Sequence, residues 1–275
     1  MTIVAMTREM GSLGKDVAAG IARELGLPVV HHEIIDSLAD KMRLRKSHVV
    51  RLLDGQAGIL ERLTADDTSL SIYTEDELCG LAMRDKGAVI RGWGATHLLG
   101  RVPHVVRVRV CAPHALRHQR MLERLRTDDQ SFVDEELRRS DEAQAAIMRR
   151  YFNVDWSDSS HYDLVLNTER VSVAQCIEEI LELVRSAEFT ETEASRRTLA
   201  DVALQSRVRA ALRADKRTRG LRVVISASDS VVTLSGVVDD EEQSATAVQA
   251  ASAVNGVKRV VDDLRAHSRI RARNA

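Results

Sequence analysis

The sequence is poor in cysteine and aromatic residues, and each shortage excludes a class of protein. Of its 275 residues, 3 are cysteine and 3% are aromatic. Cys79, Cys111 and Cys176 lie far apart, which excludes a disulfide framework and a cysteine-rich zinc site and is typical of buried thiols in a reducing compartment. The few aromatic rings argue against a platform for stacking single-stranded nucleic acid.

The chain also lacks a long apolar run and a large net charge. No stretch approaches the ~18 apolar residues of a membrane-spanning helix, and the first residues lack the apolar core of a secretion signal. The formal net charge of -1 provides no overall attraction to a polyanion. We therefore expect a cytoplasmic protein without a nucleic-acid partner. The 44% of hydrophobic residues is enough for a globular core.

The order of apolar segments predicts two units. Up to about Val184, the strand-like stretches TIVAM, LPVVH, GAVIRG, HVVRVRV and YDLVLN alternate with amphipathic segments, which predicts a three-layer α/β fold around a mostly parallel sheet. The polar stretch EFTETEASRRTLA is predicted to be a linker. A helix from Asp201 to Ala214, two strands, a second helix and a last strand then predict a small α+β domain. The expected limits are 1–187, a linker at 188–198, 199–267, and a basic tail at 268–275.

The segment TREMGSLGKDVA has the features of a phosphate-binding loop between a strand and a helix. Gly11 and Gly14 allow a tight turn, Lys15 supplies a positive charge, and the first amides of the helix point at one spot. The usual pattern G-x-x-x-x-G-K-[ST] has a glycine where Glu9 stands and a hydroxyl where Asp16 stands. These residues alone leave two interpretations open, a variant phosphate loop or an ordinary turn.

The stretch TREMGSLGKDVAAGIARELGLPVVHHEII resembles the opening of the cytidylate kinase-like family of P-loop proteins. AVIRGWGATHLL, RVRVCAPHALRHQRMLERL and RRSDEAQAAIMRRYFNVDWSDSSHYDLVLNTERVS continue the resemblance in order to about Val184. It implies a three-layer P-loop kinase-like parallel sheet with a helical lid. It also implies that ATP, with Mg²⁺ held mainly by its phosphates, phosphorylates a nucleoside monophosphate, CMP or dCMP being the first candidates. The nucleotide-binding residues so implied are Arg8, Gly11, Ser12, Leu13, Gly14, Lys15 and Asp16.

The lid expected between Arg117 and Arg150 is rich in arginine. Most of these arginines are expected to pair with glutamates on a solvated helix face, and two or three to contact phosphate. Besides Lys15, the residues selected as catalytic are Arg138, Arg139, Arg149 and Asp141, the last of which matches the family's lid aspartate. No protein metal site is predicted.

The sequence departs from the family at two positions, Gln144 and Trp93, where relatives often carry arginine. A nearby arginine, Arg91, ends a predicted strand, where ligands bind in open α/β sheets. It either binds the acceptor phosphate or pairs with a carboxylate, and the sequence favours neither.

The segment LRVVISASDSVVTLSGVVDDEEQSATAVQAASAVNGVKRVVDDLRA resembles a BON domain. The resemblance implies binding to a phospholipid surface or a protein partner, without catalytic residues; docking or dimerisation is preferred, and homo-oligomer formation stays open. Two functions follow. The chain is a nucleoside monophosphate kinase, as Lys15 and the lid arginines favour, or a nucleotide sensor with weak or no turnover, as Gln144, Trp93 and the helix start without a hydroxyl favour.

Overall fold

The computed structural model describes residues 1–31, 33–53, 66–92 and 94–267. Trp93 and the basic tail at 268–275, both singled out in the sequence, lie outside the described residues. The described chain forms two units with separate sheets. Among these residues, no helix has both the length and the apolar character needed to cross a lipid bilayer.

Five parallel strands form the sheet of the N-terminal unit, in the order β2-β3-β1-β4-β5. Ile3, Val4 and Ala5 of the central strand are fully buried, because both faces of a parallel sheet are covered. All five strands predicted from the sequence are confirmed. Their bounds are β1 Thr2–Arg8, β2 Val29–Val30, β3 Gly87–Arg91, β4 Val105–Cys111 and β5 Leu164–Asn167.

Helices cover both faces of this sheet and confirm the three-layer α/β prediction. One apolar core joins the sheet to α1 and α8, and a second joins it to α2, α3 and α4. Two further helices, α6 and α7, pack together as the predicted helical lid, around Met121, Val133 and Leu137. The bounds are α1 Gly14–Leu25, α2 Glu33–Met42, α3 Lys46–Leu53, α4 Asp67–Ala82, α5 Ala95–Leu98, α6 His114–Leu125, α7 Gln130–Phe152 and α8 Val173–Arg185.

The C-terminal unit is the small α+β domain that the sequence predicts. Strands β6 and β7 form a hairpin, and β8 pairs parallel to β7. The hairpin turns at Asp229 and Ser230, whose φ angles of 49° and 68° suit the two-residue turn that matches strand twist. The bounds are α9 Glu193–Ala214, β6 Val224–Ser228, β7 Val231–Val238, α10 Glu241–Ser252 and β8 Arg259–Ala266.

Helix α9 begins eight residues earlier than the predicted Asp201 and belongs to both units. Its start is a capping box: the Thr192 side chain accepts from the Ser195 amide at 3.1 Å, and the Thr192 amide donates to the Ser195 hydroxyl at 2.9 Å. Leu199 packs into the core of the N-terminal unit, whereas Val208 packs into the core of the C-terminal unit. Because its apolar residues face two directions, α9 lacks a single apolar stripe. For this reason the sequence pattern predicts a polar linker followed by a shorter helix.

Candidate functional site

The loop between β1 and α1 directs the start of the helix toward one point. Gly11 and Leu13 have φ angles of 80° and 61°, and these left-handed residues bend the chain before α1 begins at Gly14. The Leu13 carbonyl accepts from the amides of Asp16 and Val17 at 2.9 and 3.1 Å. The first amides of a helix carry positive potential and favour an anion beside them.

Close packing requires glycine at two positions of the loop, and at Gly11 the φ angle of 80° requires it as well. A Cβ on Gly11 would lie 2.9 Å from the Arg117 carbonyl oxygen, and a Cβ on Gly14 would lie 2.7 Å from the Arg8 Cβ. Both distances are shorter than real Cβ contacts allow. The loop therefore rests directly on the first turns of α6 and on the end of β1.

Ser12 stabilises the loop from below. It is fully buried, its hydroxyl accepts from the Gly14 amide at 3.4 Å, and its carbonyl accepts from the Thr168 hydroxyl at 2.9 Å. Of the seven residues predicted to bind nucleotide, Ser12 is the one that does not line the cavity described next.

The loop opens into a cavity of about 500 Å³ between α1 and α6, the loop cavity. This volume is in the range of small-molecule and cofactor sites. The corner formed by the loop is part of this cavity, because Gly11, Leu13 and Gly14 line it. The described lining residues are Arg8, Gly11, Leu13, Gly14, Lys15, Asp16, Arg120, Met121, Glu123 and Arg124.

The wall of the loop cavity carries positive charge that the described protein does not neutralise. Lys15 and Arg124 are both exposed, and neither forms an ion pair within the described ranges. The lining carboxylates are Asp16 and Glu123. Lysine, arginine and helix amides around one open volume are suited to a phosphate-bearing anion.

Glu9, at the position of the usual first glycine, anchors the start of the loop. One carboxylate oxygen accepts from Arg109 at 2.7 Å, and the other accepts from the Ala112 amide at 3.1 Å. Arg109 also lies 4.8 Å from the Trp156 ring centroid and donates to the Trp156 carbonyl. The glutamate therefore joins the loop to β4 and to the segment that follows α7.

Arg117 connects the loop to the lid. It is 6% exposed and donates to both carboxylate oxygens of Asp141 on α7, at 3.1 and 2.8 Å. It also donates to the Met10 carbonyl at 3.3 Å. Asp141, predicted as catalytic, therefore reaches the loop through Arg117 and does not line the loop cavity.

The three lid arginines predicted as catalytic lie away from the loop cavity. Arg138 pairs with Glu135 and Glu142, each at 2.7 Å, and Arg139 pairs with Glu136 at 3.2 Å. This is the glutamate pairing expected for most arginines of the segment. Arg149 is exposed and lowers the pKa of Asp155, after the larger effect of the Ser157 hydrogen bonds. Their catalytic role stays a prediction.

Arg91 is a buried cation at the carboxyl end of β3. It is 8% exposed, and its Nε has no hydrogen-bond partner. Burial lowers the pKa of Arg91, and the positive charge of Arg124 lowers it further. Across the part of the chain that is described, no carboxylate pairs with it. The carboxylate pair, one of the two interpretations that the sequence left open, is therefore not seen among the described residues, and the role in binding an acceptor phosphate stays a prediction.

Sequence reasoning missed two arginines beside the loop, Arg120 and Arg124. Arg120 donates to the Thr168 hydroxyl and carbonyl at 2.9 and 2.8 Å and to the Gly11 carbonyl at 3.4 Å. A signal was present: Arg117, Arg120 and Arg124 are spaced by three and four residues, which places them on one face of a helix.

Mg²⁺ fits the loop cavity only as an ion held largely by its ligand. Its preferred donors are oxygens, and the lining carboxylates of Asp16 and Glu123 are of that kind. No group of three acidic, histidine or cysteine side chains suited to a metal occurs in the described segments. Phosphate oxygens and water would therefore supply most of the ligands.

Comparison with known proteins agrees with this geometry. The model of the "Cytidylate kinase-like family" matches residues 3–170, and that of the "BON domain" matches residues 200–267. Osmotically-inducible protein Y of Escherichia coli (strain K12) is 43% identical over 65 residues, which cover 24% of this chain and 32% of that protein. The chain thus spans about a third of the length of this curated relative.

Two solved structures resemble the N-terminal unit. A crystal structure of an uncharacterized protein from Eubacterium ventriosum ATCC 27560 superposes with a TM-score of 0.53 at 21% identity, covering 68% of this chain and 99% of that one. Shikimate kinase from Bacteroides thetaiotaomicron gives a TM-score of 0.39 at 16% identity, covering 67% and 99%. The first similarity supports the fold alone.

Proposed function

Because the chain belongs to the cytidylate kinase-like family, a family of kinase-type phosphotransferases, we propose that it transfers the γ-phosphate of ATP to a nucleoside monophosphate. CMP and dCMP are the first candidates for the acceptor. The observation that supports this proposal best is the loop cavity, where helix amides, Lys15 and Arg124 line an open volume and neither cation forms an ion pair with a described residue. Phosphoryl transfer depends mainly on positioning and charge neutralisation, which such a wall supplies.

In this proposal the loop holds the donor. The amides around Gly11 and Gly14 bind the phosphate oxygens, and Lys15 places its ammonium group on the β- and γ-phosphates. Mg²⁺, when bound, neutralises part of the phosphate charge during transfer. Asp16 and Glu123 are the lining carboxylates available to it.

The acceptor phosphate is assigned to Arg91. A buried arginine without a carboxylate partner gains most from an external anion, since its own charge is otherwise left in a poorly solvated site. The positive charge of Arg124, which lines the loop cavity, contributes to the lowered pKa of Arg91. A phosphate bound at Arg91 would offset this repulsion.

In this proposal the lid arginines exchange their glutamate partners for phosphate. Arg138 and Arg139 would have to exchange surface glutamates for phosphate, at a modest cost, because solvent and salt screen ion pairs that are exposed. Asp141 is assigned a positioning role through Arg117, and Arg149 closes the lid from its last turn.

A test compares the wild-type chain with Lys15→Ala, using Mg-ATP and a panel of nucleoside monophosphates. We expect nucleoside diphosphate formation by the wild-type chain and a loss of at least about 100-fold in kcat/KM for the variant, the size expected for one electrostatic contact to the transferring group. Lys86→Ala is the matched control, because Lys86 is exposed and lies before β3. Turnover that survives in Lys15→Ala would contradict the proposal.

A second candidate is a nucleotide sensor whose BON domain reports to a protein partner or a phospholipid surface. The observation that favours it is α9, which packs into the cores of both units. In the same assay, ATP binding without diphosphate formation would select the sensor. In both versions we propose a cytoplasmic location, consistent with the few, unpaired cysteines.

A further inference from the structure

A second cavity lies where the two units meet. It has a volume of about 580 Å³, and its walls come from the end of α2, the start of α4 and the turn after α9. We call it the interdomain cleft. It is as large as the loop cavity and shares no described lining residue with it.

Polar contacts between the two units border the cleft. Arg213 of α9 donates to the Asp66 carboxylate at 2.6 Å and to the Ser69 hydroxyl at 2.8 Å. One turn earlier in the same helix, Arg209 pairs with Glu75 of α4. Asp66 and Ser69 line the cleft, so the contacts of Arg213 form part of its wall.

The cleft carries more positive charge than its described carboxylates neutralise. Arg43 on one side and Lys216 on the other are exposed, and neither forms a hydrogen bond or an ion pair through its side chain within the described ranges. Arg219 makes one contact, from Nε to the Arg213 carbonyl at 3.4 Å. Among the lining carboxylates, Asp66 is occupied by Arg213, which leaves Asp40 against these three cations.

The cleft also offers an aromatic surface. Tyr73, which is 7% exposed, lines the cleft together with Met42 and Leu44. Lys41 lies 5.9 Å from the Tyr73 ring centroid and pairs with Asp76 and Glu77, at 2.7 and 2.6 Å. Its charge is therefore satisfied by the protein, whereas Arg43, Lys216 and the outer nitrogens of Arg219 are available to a ligand.

We propose that the interdomain cleft is a second binding site, for a small molecule that carries phosphate groups. Its phosphates would bridge Arg43 of the N-terminal unit and Lys216 and Arg219 of the C-terminal unit, and an apolar or aromatic part would face Tyr73. Such a ligand contacts both units at once, so its binding free energy stabilises their packing. The site does not depend on the proposed kinase reaction.

The test uses full-length chains that carry Lys15→Ala, so that the loop cavity is weakened and the cleft is measured alone. Inorganic pyrophosphate is titrated by calorimetry. We expect one binding event, weakened at least about tenfold by adding Arg43→Ala and Lys216→Ala, about the effect of one lost charge-assisted hydrogen bond. The matched control adds Lys46→Ala and Arg217→Ala, which remove the same charge from exposed positions outside the cleft.

Equal weakening in both variants would show non-specific attraction and overturn the proposal, as would the absence of binding in the Lys15→Ala chain. Thermal unfolding without pyrophosphate checks the fold; if the alanine variants unfold early, Arg43→Gln and Lys216→Gln replace them. A parallel arm measures binding to phosphatidylglycerol vesicles. Vesicle binding that depends on Arg43 and Lys216 would identify a lipid headgroup as the source of the phosphate, and pyrophosphate binding alone would identify a soluble compound.

Discussion

At the scale of single residues, the loop between β1 and α1 depends on positions where no side chain fits. Gly11 combines a φ of 80° with a neighbouring carbonyl oxygen only 2.9 Å from a would-be Cβ. Both the conformation and the contact select glycine at this position, independently of any ligand. A larger residue at this position would therefore change the backbone of the loop and the shape of the loop cavity.

Replacing Gly11 by alanine tests this link. We expect Gly11→Ala to weaken ATP binding at least about tenfold, because strain of about 1–3 kcal/mol at this φ and the clash with Arg117 displace the loop. Equilibrium binding of a fluorescent ATP analogue measures the effect. Gly80→Ala is the control, since a Cβ on Gly80 of α4 meets nothing within 4 Å. Unchanged affinity in Gly11→Ala would show that the loop does not hold the nucleotide.

The residues beside the loop show which neighbours can be predicted from the order of the sequence and which cannot. Gly11, Leu13, Gly14, Lys15 and Asp16 are consecutive or nearly so, and the sequence predicts their shared location, since a strand, a turn and a helix start follow one another. The sequence does not say which arginines of a distant helix face that turn. The sequence analysis selected Arg138 and Arg139, whereas Arg120 and Arg124 line the loop cavity, because helix orientation is set by packing between α6 and α7.

At the scale of elements, the lid helix α7 is linked to the loop by an ion pair between the buried Arg117 and the partly exposed Asp141. Arg117 lies between Asp141 of α7 and the Met10 carbonyl of the loop, and its Nε lies 3.5 Å from the Glu9 carboxylate. A buried charge that loses its partner is strongly destabilised. The position of α7 and the conformation of the loop are therefore coupled through Arg117, and Met10 of the loop also packs against the apolar cluster between α6 and α7.

This coupling predicts the behaviour of Asp141→Asn. The amide keeps the size of the side chain but removes its charge, so we expect a fall of about 10- to 100-fold in kcat with a smaller change in the KM for ATP, as the lid loses its fixed position. Steady-state kinetics measures both parameters. Glu142→Gln is the control, because Glu142 forms only an exposed pair with Arg138. A change confined to the KM for ATP would assign Asp141 to binding instead.

At the scale of the whole molecule, helix α9 joins the two units, because it packs into the cores of both. Leu199 is fully buried against the N-terminal core, while Val208 is fully buried in the C-terminal core. The sequence predicts both units and the order of their elements, because strand and helix periodicity are local. The sequence does not predict that one helix packs into two cores. Which apolar residues of α9 face which core depends on the positions of both units, and these are not local properties of the sequence.

A shared helix predicts a shared unfolding transition. Leu199→Ala removes a fully buried side chain and should lower the free energy of unfolding by about 2–5 kcal/mol. Urea unfolding is followed by tryptophan fluorescence and by far-ultraviolet circular dichroism. The fluorescence reports on the N-terminal unit because both tryptophans, at positions 93 and 156, lie in that part of the sequence, and the circular dichroism reports on the whole chain. We expect both curves to coincide and to shift together. Two separated midpoints would show that the units unfold independently.

The double role of α9 also limits how this protein can be re-engineered. A BON domain transplanted from another protein would bring a first helix shaped for its own three strands only, and the surface of α4 around Leu78 would meet the wrong side chains. Chimeras that exchange the C-terminal unit should therefore fold only when the residues of α9 that pack against the N-terminal unit are kept from this chain. A single junction in the sequence cannot achieve this, because the residues that pack into the two cores are interspersed along the helix.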